Sequence, residues 1–149
     1  MTTFAGAWTE AEVESYLAET TVPLRLACTT PRGDLWMLSL WFSYEDGELL
    51  CATGRDAEVV RYLEATPEVA FEISTNEPPY HGVRGRGVAT LTEDADKSLL
   101  KSLIERYLGG TDSSLAKRLL ADDREEVRIA IASDKVYSWD YSERMADAV

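Results

Sequence analysis

Thr53, Gly54 and Arg55 are the residues in this chain best placed to do chemistry. They lie between a stretch that reads as a strand, Glu48 to Thr53, and one that reads as a helix, Ala57 to Leu63. A hydroxyl, a permissive backbone and a guanidinium at a helix start make a place for an anion. The free N–H groups of the first turn and the helix dipole both favour negative charge there. The loop is therefore expected to hold a phosphoryl group. Arg61, farther along the helix, either reaches back to the same group or pairs with surface charge.

Other chemistries lack their residues. The chain has 1 histidine, His81, which leaves no multi-histidine metal site and makes histidine triads improbable. His81 stands beside Pro-Pro-Tyr in a loop and reads as a rim residue. Cys28 and Cys51 fall inside strand-like runs, and no C-x-x-C is present, so both read as buried thiols. Gly82-Val83-Arg84-Gly85-Arg86-Gly87 has the wrong glycine order for a dinucleotide fingerprint, and a strand follows it where a helix should. Those glycines read as a bulge or a close backbone approach within a strand. Asp122-Asp123 and Glu125-Glu126 read as helix-end and surface charge. No G-x-S-x-G elbow or P-loop occurs.

The elements that must position the loop can be taken in order. Thr9 and Glu12 form a capping box for a helix reaching about Glu19. Leu24 to Thr29 reads as a strand, and Pro31 to Asp34 as a turn. Leu35 to Ser43 reads as a strand with large apolar groups on both faces. Trp36, Leu38, Leu40 and Phe42 share one face, and Met37, Ser39, Trp41 and Ser43 the other. Such a strand belongs in a barrel wall or an oligomer interface. A turn is expected at Tyr44 to Gly47. The helix after Gly54 is expected to lead by a βαβ-like crossover to a strand from Val69 to Ser74. Val83 to Thr92 reads as a long strand. Asp94 or Asp96 caps a helix to Leu108, and Asp112 caps a short one after it. Glu125 to Ala132 alternates as a strand, and Lys135 to Tyr141 forms an aromatic tail. The pattern is α+β: a six- to seven-stranded antiparallel barrel with peripheral helices.

The bulk numbers bound the class. One domain over residues 1–149 is expected. There are 15 basic and 27 acidic residues, a formal charge of −12, which repels nucleic acid and anionic membranes. An acidic, lysine-poor surface suits high salt, and equally an ordinary acidic cytoplasmic protein. No apolar run is long enough to span a bilayer, and no signal peptide is evident. A cytoplasmic location is expected.

Three blocks carry a resemblance: RGDLWMLSLWFSYEDGELLCATGRDAEVVRYLEATPEVAFEI, then PYHGVRGRGVATL, then VYSWDYSERM. Their order resembles the pyridoxamine 5'-phosphate oxidase-like, FMN-binding split β-barrel family. The resemblance implies a homodimer with FMN in grooves between subunits. Met37, Leu38 and Ser39 would line the flavin ring. Cys51, Ala52 and Thr53 would follow the ribityl chain and phosphate. Arg55 would pair with the phosphate, joined by Arg61. Trp139 would come from the other subunit to cover the ring. The oxidase itself closes with an Arg-x-His signature, whereas this chain has Tyr137 to Tyr141 and no histidine there, which points away from vitamin B6 oxidation. Some relatives use a deazaflavin coenzyme instead, whose longer polyanionic tail would engage Arg84 and Arg86. The function expected is flavin-dependent oxidoreduction of a small molecule, or else a non-catalytic flavin-binding dimeric module.

Overall fold

The computed structural model describes residues 1–148. Val149, the last residue of the domain expected over 1–149, lies outside the described residues. The first half contains strand β1 (Thr3–Gly6), helix α1 (Glu10–Glu19), and strands β2 (Leu24–Thr29), β3 (Leu35–Leu40), β4 (Ser43–Glu45) and β5 (Glu48–Gly54). Helix α2 (Glu58–Ala65), strands β6 (Glu68–Ser74) and β7 (His81–Glu93), helices α3 (Ser98–Leu108) and α4 (Ser114–Leu119), and strand β8 (Glu126–Asp140) follow.

The strands join in the order β3-β2-β6-β7-β8-β5-β4, all antiparallel. β3 and β4 are two parts of one bent stretch, so the two ends of the sheet belong to the same piece of chain and the sheet closes on itself. This is the α+β split barrel with peripheral helices that the sequence predicts.

Several details differ. The sheet has 8 strands rather than six or seven. Leu35 to Ser43 breaks at Trp41-Phe42, and Tyr44 and Glu45 are strand, not turn. Asp46 and Gly47, both at positive φ, make the turn alone. β1, too short to show alternation, pairs parallel to β8. The aromatic tail continues β8 past a bulge opposite Arg86-Gly87. An added Cβ at Gly87 would collide with the Ala132 carbonyl oxygen, which is why a glycine stands there. The βαβ-like crossover is not formed. α2 joins strands on different parts of the wall, and β5 and β6 are not neighbours. Ser113, rather than Asp112, caps α4 by accepting from the Ala116 N–H.

The core fills the barrel with Leu24, Leu26, Phe42, Ile73, Ile129 and Ile131, each fully buried. Each such side chain contributes about 1.5–3 kcal/mol of transfer free energy. The bend between β3 and β4 drives Phe42 inward. Its N–H, freed from any ladder, donates to the Tyr107 hydroxyl at 3.2 Å, which donates in turn to the Val22 carbonyl at 3.0 Å. Trp41 stacks on the same Tyr107 ring, centroids 5.2 Å apart and 12° from parallel. Tyr107 belongs to α3, whose amides Leu99 and Leu100 are capped by the buried Asp94 carboxylate. Asp96 accepts from the Ser98 N–H, so both expected caps are used. α3 packs Leu99 and Leu103 on Leu50 and Ala130 of the outer wall. α4 adds Ala116 beside Leu100 and Ile104. Among the described residues no helix is long and apolar enough to cross a membrane.

Candidate functional site

Strand alternation sorts the expected site residues. On β3, Leu38 turns toward the core, while Met37 and Ser39 are exposed on the outer side. On β5, Leu49 and Cys51 enter the core, and Ala52 faces out. Burial pushes the Cys51 thiol up to about 12. Its side chain touches no cleft, and neither does that of Leu38.

β3 pairs only with β2, and β4 pairs only with residues 48–50 of β5. The wall therefore opens between β3 and the far half of β5. A cleft of about 520 Å³ lies at this opening. Ser39, Trp41, Ala52 and Thr53 form its strand side, and Leu103 and Leu115 of the outer helices its other side. The cleft is mostly apolar, with a hydroxyl at either strand. Trp41 is held flat by Tyr107 and presents a planar wall.

At Thr53 and Gly54 the apolar cleft meets a polar one of about 660 Å³. Thr53, Arg55, Asp56, Asp123, Arg124 and Glu125 line it. Arg55 is largely exposed and lies 3.8 Å from the Glu125 carboxylate. Arg124 pairs with the buried Glu126 carboxylate at 3.1 Å. A Cβ on Gly54 would come within 3.3 Å of the Arg124 guanidinium, so the glycine leaves Arg124 its position between the two clefts. α2 opens on this corner with Ala57 at its cap and no side-chain cap bond. The Val60 N–H turns back to the Ala57 carbonyl, while the Glu58 and Val59 amides meet no carbonyl.

The donors gathered at this corner are Arg55, Arg124, the Thr53 hydroxyl and the Glu58 and Val59 amides. Asp56, Asp123 and Glu125 oppose an anion there. All three are exposed, and between exposed charges water reduces repulsion to about 1 kcal/mol. A charge-assisted hydrogen bond supplies about 1.5–3 kcal/mol, and Arg124 shares its guanidinium with the buried Glu126 carboxylate 3.1 Å away.

The remaining expected residues stand apart. Arg61 is exposed on α2, its guanidinium 5.4 Å from the Tyr62 ring centroid, and lines neither cleft. Met37 lines a third depression, on the outer face of β2, β6, β7 and β8, together with Arg84 and Arg86. Trp139 is buried on that side, with the Arg84 guanidinium 5.3 Å from its ring. His81 is half-buried between Trp8 and Tyr16, 5.8 and 5.6 Å away. Sequence reasoning missed Arg124 and the leucines of α3 and α4. Nothing local marks Arg124, because only the pairing of β5 with β8 brings it beside Gly54.

The sequence matches no family model and no curated protein. Solved structures are similar to it in fold. One is a conserved hypothetical protein of Mycobacterium tuberculosis, 22% identical over 93% of this chain and 88% of that one, with a TM-score of 0.74. Another is an F420 reductase, 22% identical over 82% and 94%, with a TM-score of 0.70. A third is a Listeria innocua protein assigned as a pyridoxamine 5'-phosphate oxidase, 15% identical over 87% and 96%, with a TM-score of 0.63. At such identities the likeness is one of architecture. With the closed strand order and the opening beside β3, it makes this chain a split β-barrel of the pyridoxamine 5'-phosphate oxidase-like fold.

Proposed function

We propose that this chain is a flavin-dependent oxidoreductase that works as a homodimer on a small-molecule substrate. The observation that carries the reading is the junction at Thr53–Arg55, where an apolar cleft with a flat aromatic wall runs into a polar corner that holds Arg55 and Arg124. A mononucleotide with a planar ring needs both halves side by side. FMN is the cofactor of first choice, its phosphate held by Arg55, Arg124 and the α2 amides. Ser39, Ala52 and Thr53 border the ring and ribityl chain. The bound flavin would supply hydride chemistry. The protein binds it, orients it along β3 and keeps water from its apolar side through Trp41, Leu103 and Leu115. No side chain is required as acid or base, which suits a chain with a single histidine.

A deazaflavin coenzyme is the second reading. Arg25, Arg84, Arg86 and Lys135 line the depression next to Met37, and a polyanionic tail needs that many cations. The F420 reductase among the similar folds is consistent with it.

Titrating the purified protein with FMN and with the deazaflavin coenzyme, followed by absorbance and fluorescence, tests both readings. Saturable binding of one of them is expected, and no affinity for either would overturn the proposal. Arg55→Ala is expected to weaken binding about tenfold or more, the worth of one charge-assisted contact. Absence of NAD(P)H- or coenzyme-driven turnover with any acceptor would leave a flavin-binding module without catalysis.

A further inference from the structure

The outer wall of the apolar cleft is weakly anchored. Residues 109–123, which contain α4, connect α3 to β8. α4 buries one side chain, Ala116, against Leu100 and Ile104. A methyl group is a small anchor beside Leu103 and Ile104 of α3, both fully buried. Leu115 and Leu119 lie one turn apart on α4 and line the cleft, and Leu115 is 38% exposed.

The two ends of this segment differ. At the first, Gly109 closes α3 at φ +78° and Gly110 follows, and a Cβ on either would meet nothing within 4 Å. Two unhindered glycines let the chain swing there at little cost. At the second, the Lys97 ammonium donates to the Ala121 carbonyl at 2.5 Å, as suits a cation beside a helix C-terminus. Among the described residues no other side chain outside the segment hydrogen-bonds to it. Lys97 stands at φ +57°, a region lysine seldom adopts. Its side chain thus crosses from a strained backbone position to hold the far end of α4.

We propose that residues 109–123 form a flap over the apolar cleft, hinged at Gly109-Gly110 and latched by Lys97. The inference rests on the cleft taking a ligand, as the flavin reading has it, and adds how that ligand enters and is kept. Release of the Ala121 carbonyl frees the flap, and the swing lifts Leu115 and Leu119 from the cleft mouth. With a ring against Trp41, the returning flap covers Leu115 and shuts water from the ring. A ligand that favours the closed flap shifts the population toward it. The latch sets how often the cleft opens.

Hydrogen–deuterium exchange read by peptide mass tests the proposal. It is run on the free chain, with FMN, and with 1-anilinonaphthalene-8-sulfonate, which carries rings and an anion but no flavin. In the free chain the amides of residues 111–121 are expected to exchange faster than those of α3. A bound probe should slow them at least about tenfold. Lys97→Met removes the donor, and Lys97→Gly also suits the positive φ. Both should speed exchange of the flap about tenfold or more and quicken probe release, with α3 beyond its first turn unchanged. The glycine variant should melt no lower than the unchanged chain, whereas a merely structural lysine would lower the midpoint with the flap. A flap as slow as α3 in the free chain, a flap indifferent to a bound probe, lysine variants that exchange like the unchanged chain, or a cleft that takes neither probe overturns it. FMN binding that leaves the flap unchanged sinks this inference and keeps the cofactor reading. Protection by the sulfonate alone sustains the flap and sinks the flavin.

Discussion

Cys51 and Ala52 are adjacent in sequence and face opposite sides of the barrel wall. Cys51 is fully buried among core residues, and burial pushes its thiol up to about 12. A thiol raised in the folded state stays neutral there while the unfolded chain releases its proton. The stability this contributes is present below the ordinary thiol value and is lost as pH rises from that value toward about 12. Thermal melts through this alkaline range should show a falling midpoint, with a smaller fall in Cys51→Ala. Cys28, Tyr16, Tyr44 and Tyr107 are also raised, each first by burial, so part of the fall remains in the variant. An identical alkaline slope in both proteins would refute the assignment. Asp140 has the opposite sign. The Ser142 hydroxyl and N–H hold its carboxyl below the usual range, so its contribution is present near neutrality and fades on acidification. The same alternation shows how much of the site was legible at this scale. The two faces of β3 were readable from residue order, and they hold. Runs of consecutive residues, Met37-Leu38-Ser39 and Cys51-Ala52-Thr53, cannot all reach a ligand by side chain, because a strand shows a cleft only every second one. Arg124 was invisible, since its place comes from a ladder partner far away in sequence.

At the scale of elements, the site depends on where β3 stops. Tyr107 takes the Phe42 N–H and gives its own proton to the Val22 carbonyl. One hydroxyl thus supports the strand break, the end of the loop before β2, and the flat placement of Trp41. Removing it leaves a buried amide without a partner, which costs about 1–3 kcal/mol. Tyr107→Phe should lower the urea midpoint by that amount with little change in slope, and should weaken flavin binding by loosening Trp41. A variant as stable as the original would show that water replaces the hydroxyl. Leu103→Ala tests the other side of the cleft. Leu103 is fully buried against Leu50, so a loss of about 2–5 kcal/mol is expected. The Thr9 and Glu12 capping box and the Asp94 cap were readable locally, whereas the cap of α4 fell on Ser113 instead of Asp112 and the turn on Asp46-Gly47 alone. The break at Trp41-Phe42 was not readable, because its cause is a tyrosine on a helix 65 residues away along the chain. The crossover through α2 was misjudged for a similar reason. A strand–helix–strand order fits both a parallel unit and a link between non-adjacent walls, and barrel closure chose the second.

For the whole molecule the charge is the dominant fact. A formal −12 spread over a 149-residue chain is met, among the described residues, by ion pairs only at Arg55–Glu125 and Arg124–Glu126. Most of the acidic surface is therefore unpaired and repels itself, and the compact state bears that repulsion more than the expanded one. Salt shortens its reach, from roughly 30 Å at 0.01 M to about 3 Å at 1 M. The thermal midpoint should thus rise steadily with sodium chloride through this range. The rise should persist when protein concentration is varied at fixed salt, because it belongs to the single chain. A midpoint that rises with salt only at high protein concentration would instead trace the gain to self-association. The two origins also part under charge change. Glu68→Gln or Asp123→Asn, both at exposed positions, should raise the low-salt midpoint and flatten its salt dependence. Arg86→Gln, which makes the chain more acidic, should lower the low-salt midpoint. If the midpoint stays level or falls as salt is added, self-repulsion does not limit the stability of this barrel.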